Sequence, residues 1–81
     1  MVRPELFHRI AEEDSAAARR RAGALGLFGA VEFSNVDYEE HRAALEAKGG
    51  RTTPSLWDGV RLHVGRDAVI AALEALARGR P

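Results

Sequence analysis

The chain of 81 residues contains no cysteine. Disulfide bonds, thiolate nucleophiles and cysteine-type zinc sites are therefore excluded, because each requires a sulfur that this chain lacks. Lysine is almost absent as well. Lys48 is the only one, and the other eleven of the 12 Lys and Arg residues are arginine, which indicates GC-rich coding and a bacterial origin. Since only five residues are aromatic (three Phe, one Tyr and one Trp), the predicted core is small and mainly aliphatic.

An excess of charge of either sign is also lacking, since 12 basic side chains balance 12 acidic ones. This balance gives no bulk electrostatic attraction to nucleic acids or to acidic membranes. No apolar run approaches the roughly 18 residues that a membrane span requires. Residues 1–5 do not form the apolar region of a cleaved secretion signal. We therefore expect a cytoplasmic protein that binds neither nucleic acid nor membrane.

Hydrophobic periodicity and turn residues divide the chain into seven elements in the order β-α-β-α-β-β-α. Strands are predicted at 4–8, 30–36, 55–57 and 60–64, and helices at 16–25, 38–48 and from Asp67 onward. Strands joined through a helix are expected to run parallel. Asp58-Gly59 indicates an antiparallel hairpin with a two-residue turn, in which both residues take positive φ. Gly49-Gly50 is predicted to end the second helix.

Each helix is expected to begin at a polar side chain that accepts a main-chain hydrogen bond. Asp14 or Ser15 is predicted to cap the first helix. Asp37 with Glu40 three residues later resembles a capping box at the start of the second. Asp67 is predicted to cap the third.

Two short motifs stand at informative places in this order of elements. Thr53-Pro54 opens the third strand, and Gly65-Arg66-Asp67 follows the Asp58-Gly59 hairpin. Together with the element order, they resemble the glutaredoxin branch of the thioredoxin fold. That family has a Thr-Val-Pro motif with a cis proline, and a Gly-Gly-x-Asp-Asp entry into its last helix. The resemblance covers nearly the whole chain. It implies a single domain, residues 1–81, with a thioredoxin-like α/β fold: a four-stranded mixed sheet with helices on both faces.

The resemblance also implies a ligand groove. In that family, the places marked here by Thr53-Pro54 and Asp67 hold the ends of the γ-glutamyl group of glutathione. The residues themselves support a groove, because the main chain before a proline lacks one ladder bond and can pair with an extended peptide. The first turn of a helix also binds anions. A peptide, a protein or a glutathione-like molecule is therefore the expected partner. The predicted groove residues are His8, Thr53, Pro54, Gly65, Arg66 and Asp67.

The chain departs from the family at the redox motif. The Cys-x-x-Cys motif belongs between the first strand and the first helix, which places Glu12 and Ser15 at the two cysteine positions. Thiol–disulfide exchange requires a thiolate. Ala68 departs too, since the family often has a second acid there. We therefore expect a redox-inactive glutaredoxin-like protein with no catalytic residue, no metal and no cofactor, with glutathione as a candidate ligand and with Glu12 and Ser15 beside the groove.

Other interpretations stay open. Ser15 either starts a helix or activates a glutathione thiolate, as a serine does in some glutathione transferases. Residues 12–14 are either a solvated first turn or ligands of a hard cation. A third possibility is a protein-interaction module that uses the Thr53-Pro54 edge or the Ala-rich helix without a small-molecule ligand. The run Arg19-Arg20-Arg21 is interpreted as a solvated helix face, because three consecutive residues spread around a helix.

Overall fold

The computed structural model describes residues 3–79, and their elements follow the predicted order. The strands are β1 (Glu5–His8), β2 (Glu32–Asn35), β3 (Ser55–Trp57) and β4 (Leu62–Val64). The helices are α1 (Glu13–Ala24), α2 (Glu39–Ala47) and α3 (Arg66–Arg78). Together they form the thioredoxin-like α/β arrangement. Among residues 3–79, no helix has both the length and the apolar character to span a bilayer.

The four strands form one mixed sheet in the order β2-β1-β3-β4. β1 runs parallel to β2 and antiparallel to β3, and β3 runs antiparallel to β4. The expectation that helix-joined strands run parallel is confirmed for β1 and β2 but is wrong for β2 and β3. Because β1 lies between β2 and β3 in the sheet, β3 pairs with the edge of β1 opposite β2. It starts at the end where β1 finishes, with Ser55 opposite Phe7.

Both faces of the sheet are covered, because successive residues of a strand point to opposite sides. On β1, Leu6 and Phe7 are both fully buried. Leu6 belongs to a cluster with residues of α1 and α3, whereas Phe7 packs with Val36 and with Leu45 of α2. Small side chains on α1 allow the helix to lie close to the sheet. The members of the first cluster on the two helices are Ala18, Ala22, Val69, Ala72 and Leu73.

The predicted caps of α1 and α3 are wrong. The N-cap residues are Glu12 and Gly65, and neither makes a side-chain cap hydrogen bond. Asp14 and Ser15 lie in the first turn of α1, and Asp67 lies in the first turn of α3. Acidic residues in a first turn interact favourably with the helix dipole, so these positions suit carboxylates without a capping hydrogen bond.

The predicted capping box of α2 is also wrong. Tyr38 is the N-cap residue and makes no side-chain cap hydrogen bond. Asn35 at the end of β2 organises the turn in its place, since its Oδ1 accepts a hydrogen bond from the Asp37 N–H at 2.9 Å. Its main-chain oxygen accepts another from the Tyr38 N–H at 3.1 Å. The chain therefore turns on an asparagine before the helix begins.

The β3–β4 hairpin is antiparallel as predicted, but its turn is longer than two residues. The register of the strands leaves residues 58–61 as the loop. Asp58 Oδ1 accepts hydrogen bonds from the N–H groups of Val60 (2.8 Å) and Arg61 (2.9 Å), and only Gly59 takes a positive φ (100°). The prediction fails because the Asp58 carboxylate closes a wider turn. Val60, predicted to lie in β4, is outside the strand and 85% exposed.

Candidate functional site

The Glu12 carboxylate joins the β1–α1 loop to the segment before β3. Its Oε1 accepts a hydrogen bond from the Ser15 hydroxyl at 2.5 Å and another from the Thr53 hydroxyl at 2.7 Å. Hydrogen bonds to a carboxylate are stronger than those between neutral groups. Glu12 and Thr53 are 41 residues apart in the sequence, so this one oxygen fixes two distant segments to each other.

Ser15 supports this arrangement from within α1. Its side chain is fully buried, and its Oγ accepts a hydrogen bond from the Arg9 N–H at 3.1 Å while donating to Glu12. A serine hydroxyl carries a single proton, and Glu12 already accepts it. A ligand thiolate cannot receive that proton unless the bond to Glu12 breaks. The geometry therefore gives Ser15 a supporting contact with Glu12 and does not favour the transferase interpretation.

Thr53-Pro54 is a cis peptide bond, as the family resemblance implied. Pro54 is buried, and its carbonyl accepts a hydrogen bond from the Gly65 N–H at 3.0 Å. The side chain of Thr53 is directed to Glu12. In contrast, its main-chain N–H and C=O have no hydrogen-bond partner among residues 3–79. The main chain of Thr53, two residues before β3, is therefore unpaired.

The start of α3 lies next to this segment. Gly65 has φ of 94°, a conformation that glycine adopts readily and other residues rarely. It turns the chain from β4 into α3 while its N–H reaches Pro54. A depression of about 410 Å³ opens here. It is lined by Asp14, Val64, Gly65, Arg66, Asp67 and Ala68.

Carboxylates outnumber guanidinium groups around the groove. Arg66 Nε lies 3.2 Å from Asp67 Oδ1, and Arg66 Nη1 lies 4.0 Å from Asp14 Oδ1. All three side chains are more than half exposed, so these ion pairs contribute little. Among residues 3–79, the charged side chains that line the depression are Asp14, Asp67 and Arg66, and Glu12 adds a third carboxylate beside Thr53. This balance favours neutral or basic ligands over anionic ones.

The structure brings together seven of the eight predicted site residues and places the His8 ring elsewhere. His8 is buried, and its Nδ1 lies 3.0 Å from Arg19 Nη1. Its ring contacts Phe33 edge-on, with centroids 5.9 Å apart. Burial lowers the pKa of His8, Arg19 and His41 lower it further, and Asp37 acts in the opposite direction. Because Arg19 donates to Nδ1, the neutral ring carries its proton on Nε2.

Sequence reasoning missed Arg19, which holds the β1–α1 loop. Its guanidinium donates to the carbonyls of Arg9 (2.9 Å) and Ile10 (3.3 Å). The spacing in the sequence indicates this position, since Arg19 follows Ser15 by four residues and therefore lies on the same side of α1. The interpretation of the arginine run as a solvated face is therefore wrong for Arg19. The other two arginines form ion pairs, Arg20 with Glu13 and Arg21 with Glu74.

Compared with protein-family models and with the sequences of curated proteins, the chain matches none. Within the described part of the chain, no three His, Asp or Glu side chains are grouped closely enough to hold a metal ion. Function is therefore inferred from the geometry of the groove beside Thr53-Pro54.

Proposed function

We propose that this chain is a redox-inactive glutaredoxin-like protein that binds an extended peptide, or a glutathione-like ligand, beside Thr53-Pro54. The observation that carries the proposal is the unpaired main chain of Thr53. An extended peptide binds at a sheet by pairing with such unpaired N–H and C=O groups. From composition and charge, we further propose that the protein is bacterial and cytoplasmic.

The contacts around Thr53 support the proposal because they hold the main chain in place before a ligand arrives. Glu12 anchors the Thr53 side chain, and the Gly65 N–H anchors the Pro54 carbonyl. Binding to a segment that is already ordered loses less conformational entropy than binding to a mobile loop. The Glu12 carboxylate thus has a positioning role at a place where the family has a cysteine.

The charge around the groove favours one ligand class over the other. Glutathione carries a net negative charge at neutral pH, and the described part of the groove presents the carboxylates of Glu12, Asp14 and Asp67 together with the guanidinium of Arg66. Like charges at short distance weaken binding. We therefore expect neutral or basic extended peptides to bind more tightly than glutathione.

Amide hydrogen exchange and chemical-shift mapping test the proposal. The probes are reduced glutathione and a mixture of short acetylated peptides of randomised sequence, each at millimolar concentration. We expect the amide signals of Thr53, Gly65 and Asp67 to shift with the peptides. We also expect exchange at the Thr53 amide to slow by about tenfold, as a newly formed main-chain hydrogen bond requires. No change at these amides with either probe would contradict the proposal.

Two controls separate groove binding from unspecific effects. The Gly59 amide, which also has no hydrogen-bond partner among residues 3–79, lies in the hairpin loop and is expected to keep its exchange rate. Thr53→Val keeps the N–H but removes the hydrogen bond to Glu12, so it is expected to weaken peptide binding. Thr52→Val is the matched control, since the Thr52 hydroxyl has no partner in the described residues. Equal changes in peptide affinity for the two variants would contradict the positioning role of Glu12.

A further inference from the structure

A second surface lies between α1 and the edge strand β2 and includes no residue of the groove beside Thr53-Pro54. Its residues are Arg19, Arg20, Phe28 and Phe33, which line a cleft of about 400 Å³. We refer to it as the Arg–Phe surface. Phe28 is 65% exposed. Phenylalanine is usually buried, and this chain has few other aromatic side chains with which to fill its core.

The exposed ring of Phe28 is held in place by its neighbours. A Cβ atom on Gly23 would lie 2.7 Å from Phe28 Cζ, so the ring rests on α1 where the helix has no side chain. Phe28 also contacts Phe33 edge-on, with centroids 5.6 Å apart, and Phe33 in turn contacts His8. Edge-to-face pairs of this kind are favourable. The cleft is therefore built before any partner binds.

Arg19 provides a fixed cation at the edge of the cleft. It makes three hydrogen bonds, to His8 Nδ1 and to the carbonyls of Arg9 and Ile10. It forms no ion pair with a carboxylate in residues 3–79. Since a guanidinium has five N–H donors, one on Nε and one on Nη2 remain for a ligand. An oriented cation with two donors suits a carboxylate.

Arg20 adds a second cation that a ligand can recruit. Its Nη2 lies 3.0 Å from Glu13 Oε1, and the two side chains are 66% and 80% exposed. An ion pair so open to water contributes little, so a carboxylate from a partner can share or replace Glu13. Within residues 3–79, no carboxylate lines the cleft itself. The surface thus combines two aromatic rings with two guanidinium groups.

We propose that the Arg–Phe surface binds an acidic peptide segment of a partner protein, in which a large apolar side chain stands next to an aspartate or glutamate. The apolar side chain packs on Phe28 and Phe33, and the carboxylate accepts hydrogen bonds from Arg19 and Arg20. A symmetric dimer through this surface is disfavoured, because it would bring the arginines of the two copies together. The zero net charge of the chain gives nucleic acid no further attraction.

Unbiased peptide selection tests this proposal. The full chain is used to select from a library of random octapeptides, and the best peptide is then titrated by fluorescence anisotropy. We expect enrichment of Phe, Trp, Tyr or Leu adjacent to Asp or Glu. Amidating the acid is expected to weaken binding by about tenfold, as loss of a charge-assisted hydrogen bond predicts. No enriched peptides, enrichment of apolar residues without an acid, or tighter binding of a single-stranded oligonucleotide would each overturn the proposal.

Variants then locate the binding. Phe28→Ala is expected to lower the affinity for the selected peptide by about tenfold, as removal of an aromatic anchor does. Gly23→Ala is expected to lower this affinity too, because the added methyl group displaces the Phe28 ring. Arg20→Gln is expected to weaken it about threefold through loss of one cation. The matched controls are Val60→Ala, which alters an even more exposed apolar residue, and Arg42→Gln, which alters an exposed helical arginine elsewhere. Both are expected to leave binding unchanged.

Two results would overturn the assignment of the binding to this surface. One is unchanged peptide binding by Phe28→Ala, checked for folding by circular dichroism. The other is a concentration-dependent dimer in sedimentation that Phe28→Ala abolishes. Because Thr53→Val alters the groove and no residue of the Arg–Phe surface, it also separates failure of this proposal from failure of the proposed function.

Discussion

Asp58 shows how one carboxylate can hold a loop in shape. Its pKa is lowered to about 2, first by the hydrogen bond from the Arg61 N–H, then by the contact with His63 and by the Val60 N–H. His63 Nε2 lies 2.7 Å from Asp58 Oδ2. All these groups favour the ionised carboxylate, which accepts hydrogen bonds that the protonated acid accepts less well.

A pH dependence of stability follows from Asp58. Because its pKa is lower in the folded chain than the ordinary value of 3.8, the ionised group stabilises the fold above that value, and the stabilisation is lost as the pH falls toward 2. We expect the urea midpoint to decrease between about pH 4 and pH 2. Asp58→Asn should show a smaller decrease over this range, and the exposed Asp37→Asn should behave like wild type. Parallel curves for wild type and Asp58→Asn would contradict the role of Asp58.

The end of α2 shows two adjacent glycines that serve different purposes. Gly49 has φ of 87°, in the region where helices commonly end on a glycine. Gly50 has no such φ, but a Cβ atom there would clash with Leu45 Cδ1 and would lie 2.7 Å from Leu62 Cδ2. Gly49-Gly50 was predicted to stop the helix, and the structure adds that Gly50 lets the loop approach the core of α2 and β4.

Gly50→Ala is therefore expected to destabilise the fold. The added methyl group meets two leucine side chains, one of them in the buried cluster around Phe7, and overpacking of this kind costs about 1–3 kcal/mol. Gly29→Ala is the matched control, because a Cβ atom there has nothing within 4 Å and the residue has no positive φ. Urea unfolding of both variants measures the difference. Equal free energies of unfolding for the two variants would show that the side chains of Leu45 and Leu62 move aside without loss of stability.

The two cores share β1, since Leu6 belongs to the cluster beneath α1 and α3 while Phe7 belongs to the cluster beneath α2. β3 links the two faces as well, since Leu56 belongs to the first cluster and Trp57 packs against the second. A disturbance on one face is therefore transmitted to the other through the two central strands. Small domains built in this way commonly unfold in one transition. The prediction of a single domain over residues 1–81 leads to the same expectation.

Leu73→Ala tests this cooperativity. Leu73 belongs to α3 and is fully buried against the sheet, so the variant is expected to lose about 2–5 kcal/mol of stability. Trp57 packs in the cluster on the other face, and its fluorescence reports that face. We expect the urea midpoints measured by Trp57 fluorescence and by far-ultraviolet circular dichroism to decrease by the same amount in Leu73→Ala. An unchanged fluorescence midpoint together with a lower dichroism midpoint would show that the two faces unfold independently.

Local features of the sequence determined much of this protein. The absence of cysteine excludes thiol chemistry, and periodicity predicted the order and approximate positions of all seven elements. The cis bond was implied by the family resemblance alone, whereas the element order and Thr53-Pro54 pointed to the thioredoxin-like arrangement. These signals act over a few residues, through side-chain alternation and restricted main-chain angles, and so can be interpreted without knowledge of distant contacts.

Only the tertiary structure decided which distant groups meet. The direction of β3, the contact of Glu12 with Thr53 and the pairing of His8 with Arg19 all depend on how the elements pack. The predicted caps fail because the helices begin elsewhere: the N-cap residues lie two positions before Asp14 and Asp67 and one position after Asp37. A carboxylate accepts hydrogen bonds from whichever donors the fold brings near it, and for Glu12 one of those donors is 41 residues away.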